Sequence, residues 1–156
     1  MQTTTVSMLP NAEPIDLLNA FLAAHAKTEA MPAMVYVRGE ELYHALAGNP
    51  PAHPAWGRFL VAMGQLAAER MDDSAAASRY FLQALQGVAR HGDHEAAVTA
   101  GYNQGVLQEK RRHLAHALAA YRAAASEGFR CGAVTANTLR AATAAVRVRF
   151  AEDGEL

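Results

Sequence analysis

The segment from Gly101 to Ala124, GYNQGVLQEKRRHLAHALAAYRAA, constrains the fold of this chain more than any other. Apolar residues recur at helical spacing before the basic corner at 111–113 and again after it, which predicts two helices folded into a hairpin. Gly105 and Ala117 are small enough to let one helix approach another closely. Such a hairpin carries apolar residues on more faces than it can bury alone, so we expect an internal repeat.

The composition favours an all-α fold in one domain. The chain has 156 residues, and its 51% hydrophobic fraction comes mainly from Ala and Leu, which prefer helices. A formal net charge of -1 gives no electrostatic footprint for nucleic acid and no polybasic patch for a membrane surface. The single cysteine, Cys131, excludes an intramolecular disulfide, and we expect no Cys-based metal site. We interpret it as an inert, buried or half-buried thiol.

The termini predict the location of the protein and the extent of its domain. The N-terminus lacks the basic start and continuous apolar core of a signal peptide, and the chain has no run of eighteen apolar residues. We therefore expect a cytoplasmic protein that does not bind a membrane, and its excess of Arg over Lys suits a bacterial source. The expected organisation is a flexible tail over 1–12, a helical domain over 13–150 and a flexible end over 151–156.

Periodicity and capping residues predict about seven helices. The clearest boundary is the run Gly48-Asn49-Pro50-Pro51, which cannot continue a helix. We take Pro32 as a break and leave 34–36 unassigned. Asp72, Asp73 and Ser74 can supply N-cap oxygens for the helix that follows them, Asp93 can cap the next helix, and Gly92 can close the one before it. The expected helices cover 14–28, 37–47, 54–70, 74–90, 94–110, 114 to the Ser126-Glu127-Gly128 stop, and 132–150.

A 40-residue spacing relates two of the predicted hairpins. Small, aromatic and small residues recur in the second helix of each, at Ala77, Phe81 and Ala84 and again at Ala117, Tyr121 and Ala124. Gly64 and Gly105 recur in the first helices with an offset one position longer. Over residues 56–145 the chain resembles the tetratricopeptide (TPR) repeat family, and in particular the 40-residue variant found in adaptors such as kinesin light chains. The resemblance implies a superhelix of antiparallel helices, although the corner at 111–113 lacks the family's glycine and Phe129 replaces its closing proline.

The TPR resemblance also implies where a partner binds, because the first helices of stacked hairpins line a concave surface. Moving back by the offset between Gly64 and Gly105 extends the exposed stripe of the 94–110 helix onto the 54–70 helix. The 132–150 helix either begins a third hairpin or caps the array. If it begins a third hairpin, Asn137 is equivalent to Asn103 and the stripe continues onto it. Asn103 and Asn137 resemble the position that holds a ligand backbone, and Arg140 the cation that accepts a carboxylate. The alternative is that both asparagines are solvated or satisfy a loop. The candidate partner-binding residues are Arg58, Gln65, Thr99, Tyr102, Asn103, Val106, Lys110, Asn137 and Arg140.

Metal and catalytic sites are not expected from the sequence. The pairs His91/His94 and His113/His116 have i, i+3 spacing, but the stretch from His94 to His113 spans roughly 28 Å of helix, too far for one shared site. Cys131 has no catalytic partner at a recognisable spacing, and phosphate-binding loops are absent. We expect no cofactor, no metal and no enzymatic activity.

The sequence therefore predicts a non-enzymatic protein–protein interaction module, an adaptor that holds a peptide or helix of a partner in its groove. One alternative is a bacterial secretion-type chaperone or regulatory subunit with a dedicated client. Another is a homo-oligomeric structural protein, such as a homodimer, in which a second copy covers an apolar strip at one end of the array.

Overall fold

The computed structural model describes residues 13–27 and 31–154, apart from the side chain of Glu152, and this part of the chain is helical with no strand. The all-α class predicted from the sequence is confirmed. The expected tail over 1–12 and the last two residues lie outside the described ranges. The helices are α1 (Pro14–Ala26), α2 (Pro32–Leu46), α3 (Pro54–Glu69), α4 (Ser74–Gln86), α5 (Val88–His91), α6 (His94–Lys110), α7 (Leu114–Arg130) and α8 (Ala136–Glu152).

Local sequence features, namely proline in the first turn and capping residues, determine where most of the helices begin. Proline occupies the first turn of α1, α2 and α3, where its missing N–H costs no hydrogen bond. The carboxylates of Asp73 and Asp93 accept hydrogen bonds of 3.0 Å from the backbone N–H groups of Ala76 and Ala96, as expected of N-caps. The break expected at Pro32 is wrong, because this residue begins α2 and brings 34–36 into the helix.

The structure has one more helix than predicted in the described ranges because the segment expected to run unbroken to Arg90 is interrupted at Gly87. The imidazole of His91 is buried, and its Nε2 lies 2.8 Å from the carbonyl oxygen of Ala84. This carbonyl would otherwise accept the next N–H of α4. The ring also lies against Gly57, where an added Cβ would come within 2.6 Å of its Cε1 atom. Packing of His91 thus ends α4 and leaves α5 as a single turn.

The end of α7 also differs from the prediction. The helix passes through Ser126-Glu127-Gly128 and continues to Arg130, while α8 begins at Ala136 rather than at 132. Gly128 remains helical because Thr138 of α8 fills the space beside it, and an added Cβ there would lie 2.9 Å from the Cβ of Thr138. The glycine therefore permits a close helix contact instead of ending the helix.

The helices pack in an alternating order. α3 pairs with α4 and α6 pairs with α7, while α4 also packs against α6 and α7 against α8. A second series of contacts runs from α1 to α3, from α3 to α6 and from α6 to α8. We call these four helices the A layer. One hydrophobic cluster lies among α1–α4 and the start of α6, and another lies between α7 and α8.

The two hairpins repeat one close contact. An added Cβ on Gly64 of α3 would lie 2.6 Å from Cδ1 of Phe81, and one on Gly105 of α6 would lie 2.8 Å from Cζ of Tyr121. In each hairpin an aromatic ring of the second helix therefore lies directly on a glycine of the first. The alanines flanking the two rings, at positions 77, 84, 117 and 124, are fully buried. The rings and alanines thus repeat at the 40-residue spacing seen in the sequence, and the glycines at the offset one position longer.

None of the described helices has both the length and the apolar character needed to cross a membrane.

Candidate functional site

A hollow of about 330 Å³ opens between α1, α3 and α6 of the A layer. Its wall on α3 consists of residues spaced i, i+3, i+4 and i+7, so they share one face of that helix. The hollow is lined by Leu22, His25, Arg58, Val61, Ala62, Gln65, Asp93, Glu95, Ala96 and Thr99. Three of the predicted partner-binding residues, Arg58, Gln65 and Thr99, therefore lie around one concavity.

A second hollow, of about 260 Å³, continues the first along α3. The two share His25 and Gln65, and the second extends past Leu66 and Glu69 to Arg70, with Pro32 and Val35 of α2 on its other side. From Arg58 to Arg70 the helix rises roughly 18 Å at about 1.5 Å per residue. We call the two hollows together the A-layer groove. It is elongated, and α3 forms its length.

The A-layer groove has an apolar floor and a polar rim. Val61 and Ala62 are buried in its floor, while Gln65 and Thr99 are half-buried on its sides. Arg58 lies on the rim, and its Nε donates to Oδ2 of Asp93 at 3.1 Å, with the arginine side chain 56% exposed. An ion pair this exposed is weak, so Arg58 can exchange Asp93 for another carboxylate.

His25 forms an uncharged part of the groove wall. Burial lowers its pKa below the ordinary histidine value, against a smaller opposing effect of the nearby carboxylate of Glu69. Its ring stacks on that of Phe21 with 6.3 Å between centroids and an interplanar angle of 2°. The imidazole is therefore neutral at pH 7 and presents a flat, weakly polar surface.

Between α6 and α8, three predicted residues form a chain of hydrogen bonds. Nδ2 of Asn137 donates to Oγ1 of Thr99 at 3.2 Å, and Nη1 of Arg140 donates to Oδ1 of Asn137 at 3.1 Å. Arg140 is exposed, so its guanidinium keeps further donors for a ligand. Asn137 is already paired on both ends of its amide, but one N–H and one oxygen lone pair remain for a ligand backbone.

The other predicted residues of α6 are more dispersed. The ring centroid of the half-buried Tyr102 lies 5.8 Å from that of Tyr121, and Val106 packs against the cluster between α7 and α8. Asn103 is half-buried, and Lys110 is exposed at the last residue of α6. Tyr102 and Val106 thus contribute to packing between helices, while Lys110 stands at one end of the stripe.

Sequence reasoning missed the contribution of α1 to the groove. Leu22 and His25 line it, although the 40-residue pattern does not extend to this helix. It also missed Val61 and Ala62, which stand one repeat before Tyr102 and Asn103 and could have been found from them. Asp93 was predicted only as a cap, yet its second carboxylate oxygen holds Arg58.

A further hollow, of about 320 Å³, lies between α2, α3 and α4, where Tyr43, Trp56 and Gln83 contribute to its lining. Arg90 closes one side by donating from Nε to the carbonyl oxygen of Pro50 at 2.8 Å. The phenol of Tyr43 and the amide of Gln83 hydrogen-bond each other at 2.8 Å and 3.0 Å. Tyr43 and Gln83 therefore satisfy each other's polar groups in this hollow, whereas Gln65 lines both parts of the A-layer groove.

Possible metal ligands converge outside the A-layer groove. Among the described residues one group of three brings its ligand atoms within 4.8 Å of one another: His94, Glu127 and Cys131. The spacing of these residues in the sequence gave no indication of the group.

Comparisons of the chain with protein-family models, curated proteins and solved structures give no significant match. The resemblance to TPR repeats therefore stays a prediction based on the residues quoted above.

Proposed function

We propose that this chain is a non-enzymatic protein–protein interaction module that binds an extended peptide or a helix of a partner protein in the A-layer groove. One observation carries the proposal: two hollows share His25 and Gln65 and so form one elongated concavity along α3. An apolar floor with a polar rim is the usual anatomy of a peptide-binding surface.

The floor of the groove can make apolar contacts with a ligand, and its sides and rim can make polar ones. Leu22, Val61 and Ala62 offer apolar surface for side chains of the ligand. The amide of Gln65 can both donate to and accept from a peptide group. Arg58 suits an acidic side chain or a terminal carboxylate. A stretch of roughly 18 Å accommodates about five or six residues of extended peptide.

Asn103, Asn137 and Arg140 would extend this site towards α8 and fix the register of the ligand. The bond from Arg140 to Asn137 supports this role because it holds the two side chains together on the exposed side of α8. A ligand that ends in a carboxylate would bind Arg140 and release the Asn137 amide for its own backbone.

The proposal is tested with peptides selected from a random display library, their affinities being measured by fluorescence anisotropy. Gln65→Ala should weaken binding about five- to tenfold, since it removes a hydrogen-bonding side chain worth about 1 kcal/mol. Thr99→Trp should abolish binding by filling the hollow. Gln86→Ala, an exposed glutamine on α4, is the matched control. Unchanged affinity in both groove variants contradicts the proposal, as does a library that yields no binder.

Self-association is a second candidate, favoured by one observation on α8. Leu139, Val146 and Phe150 are 54%, 58% and 44% exposed, and their spacing of i, i+7 and i+11 puts them on one stripe. This stripe lies opposite the buried residues Ala141, Ala144 and Val148. A second copy of the chain could cover it.

A further inference from the structure

Three possible metal ligands meet where the start of α6 contacts the end of α7. His94 is the first residue of α6, and Glu127 and Cys131 are one helical turn apart at the end of α7. Nδ1 of His94 lies 2.6 Å from Oε1 of Glu127, and Sγ of Cys131 lies 3.2 Å from the same oxygen. One nitrogen, one oxygen and one sulfur therefore surround a single point.

The cluster is charged, partly buried and open on one side. The Glu127 side chain is only 10% exposed, whereas that of His94 is 42% exposed and gives access from solvent. Burial opposes ionisation of Glu127, but hydrogen bonds from His94, Arg130 and Cys131 outweigh it and lower its pKa to about 2. Glu127 is therefore a carboxylate at neutral pH.

The neighbouring His91 takes no part in this cluster. Its Nδ1 accepts from the backbone N–H of Asp93 at 3.0 Å, and its Nε2 faces the carbonyl oxygen of Ala84. The i, i+3 pair seen in the sequence is thus divided between two environments. The imidazole of His94 instead meets side chains at the far end of α7.

We propose that His94, Glu127 and Cys131 bind a thiophilic divalent cation of the Zn²⁺ class, with water as the fourth ligand. Imidazole, carboxylate and thiolate are the ligands that zinc takes in proteins, and three of them leave one position open. Zinc–ligand bonds of about 2.0–2.3 Å need ligand atoms roughly 3–4 Å apart, which the group reaches by small rotamer adjustments. The softness of the thiolate disfavours Mg²⁺ and Ca²⁺.

Binding of the ion requires defined proton movements. The thiol of Cys131 gives its proton to solvent, and the imidazole of His94 carries its proton on Nε2 so that Nδ1 can coordinate. Arg130, whose Nη2 donates to Oε2 of Glu127 at 2.6 Å, is 65% exposed and can turn away into solvent. The bound ion would then join the start of α6 to the end of α7 and stabilise the hairpin against unfolding.

The test is titration of the purified chain, kept in reducing buffer, with Co²⁺ and Zn²⁺. Thiolate-to-cobalt absorption and calorimetry should both give one site per chain. His94→Gln should weaken binding at least tenfold although Cys131 is still present, while His116→Gln, which changes an exposed histidine on α7, should leave it unchanged. Zn²⁺ should raise the Tm of the wild type, and Mg²⁺ should not.

A second variant separates a built site from a thiol that binds metal alone. Arg130→Gln removes a cation that competes for Glu127, so its Zn²⁺ affinity should rise several-fold. Equal affinities of the wild type and His94→Gln would overturn the proposal, and so would the absence of any cobalt–thiolate absorption. Circular dichroism in the presence of a chelator checks that each variant is folded before it is titrated.

Discussion

Two residues in the corners between paired helices adopt left-handed backbone conformations. Asp72, after α3, has φ 50°, and Arg112, after α6, has φ 64°. Their separation equals the 40-residue spacing, so the corners repeat as the hairpins do. Asp tolerates this conformation through its short polar side chain, whereas a long side chain such as that of Arg is strained there. Glycine, which TPR repeats often have at this corner, would carry no such strain.

Replacing Arg112 with Gly should therefore stabilise the protein. The left-handed conformation costs a non-glycine residue about 1–2 kcal/mol, and glycine loses roughly 0.5–1 kcal/mol through greater freedom when unfolded, so we expect a net gain of about 0.5–1 kcal/mol. Arg111→Gly is the matched control, because Arg111 has φ -84° and gains no relief. Urea unfolding measures the free energy of unfolding of both variants. An equal increase in the Arg111→Gly control would contradict this account.

Adding a single methyl group at the contact between Gly105 and Tyr121 should destabilise the protein. Gly105→Ala places a Cβ against the buried ring of Tyr121, and overpacking of this kind costs about 1–3 kcal/mol of unfolding free energy. Gly48→Ala is the control, since nothing lies within 4 Å of an added Cβ there. Thermal and urea unfolding should show a loss only at position 105. Equal effects at the two positions would mean that the ring does not depend on the glycine.

At the scale of the helix, local chemistry was predictable and tertiary packing was not. The cap at Asp93 was correctly predicted, and Asp73 is the one of three expected candidates that caps α4, because each cap depends on a carboxylate and the next few N–H groups. The break at Gly87 was not, because it depends on His91 packing beside Gly57 of α3, far away in the sequence. The same holds for Gly128, a residue that usually ends helices, because Thr138 of the next helix keeps it helical.

Glu109 connects three helices and should make their packing sensitive to acid. On α6 it accepts hydrogen bonds from Nη2 of Arg147 on α8 at 2.8 Å and from the hydroxyl of Tyr121 on α7 at 2.9 Å. The bond from Arg147 is the largest cause that lowers the pKa of Glu109, and burial opposes it. A lowered pKa means that Glu109 contributes stability above its ordinary value of 4.5 and loses this contribution as the pH falls through the lowered pKa.

The free energy of unfolding should accordingly fall as the pH drops below about 4.5, and Glu109→Gln should flatten part of that slope. Glu95→Gln, an exposed acid in the first turn of the same helix, should leave the slope nearly unchanged. Urea unfolding at a series of pH values measures how the free energy of unfolding depends on pH. A slope that is the same in Glu109→Gln and in the wild type would show that the bonds to Arg147 and Tyr121 do not stabilise the fold.

At the scale of the whole molecule, the 40-residue spacing predicted the repeated hairpins but not everything that surrounds the groove. The register of Arg58 and Gln65 with Thr99 and Val106 follows from the offset between Gly64 and Gly105, which is one position longer than that spacing. The place of α1 in the wall does not, because the first helical pair shares little of the pattern. The group of His94, Glu127 and Cys131 could not be predicted from the sequence either, because only the packing of α6 on α7 brings these residues together.

The mass of the chain in solution distinguishes the two candidate functions. A monomeric adaptor predicts 16.7 kDa by light scattering. Twice this mass, returning to the single-chain value in the double variant Val146→Ser/Phe150→Ser, would favour self-association through α8 instead. Val37→Ser, which changes an exposed valine on α2, is the control and should leave the mass unchanged in either case.

The most direct test of the central claim is to map where a peptide binds. Backbone amide NMR spectra of the ¹⁵N-labelled chain, recorded during titration with the tightest selected peptide, report on every helix at once. The A-layer groove predicts the largest shift changes along α3 from Arg58 to Arg70, with smaller ones around His25 and Thr99. Changes centred on Tyr43 and Gln83, or on the exposed stripe of α8, would contradict it.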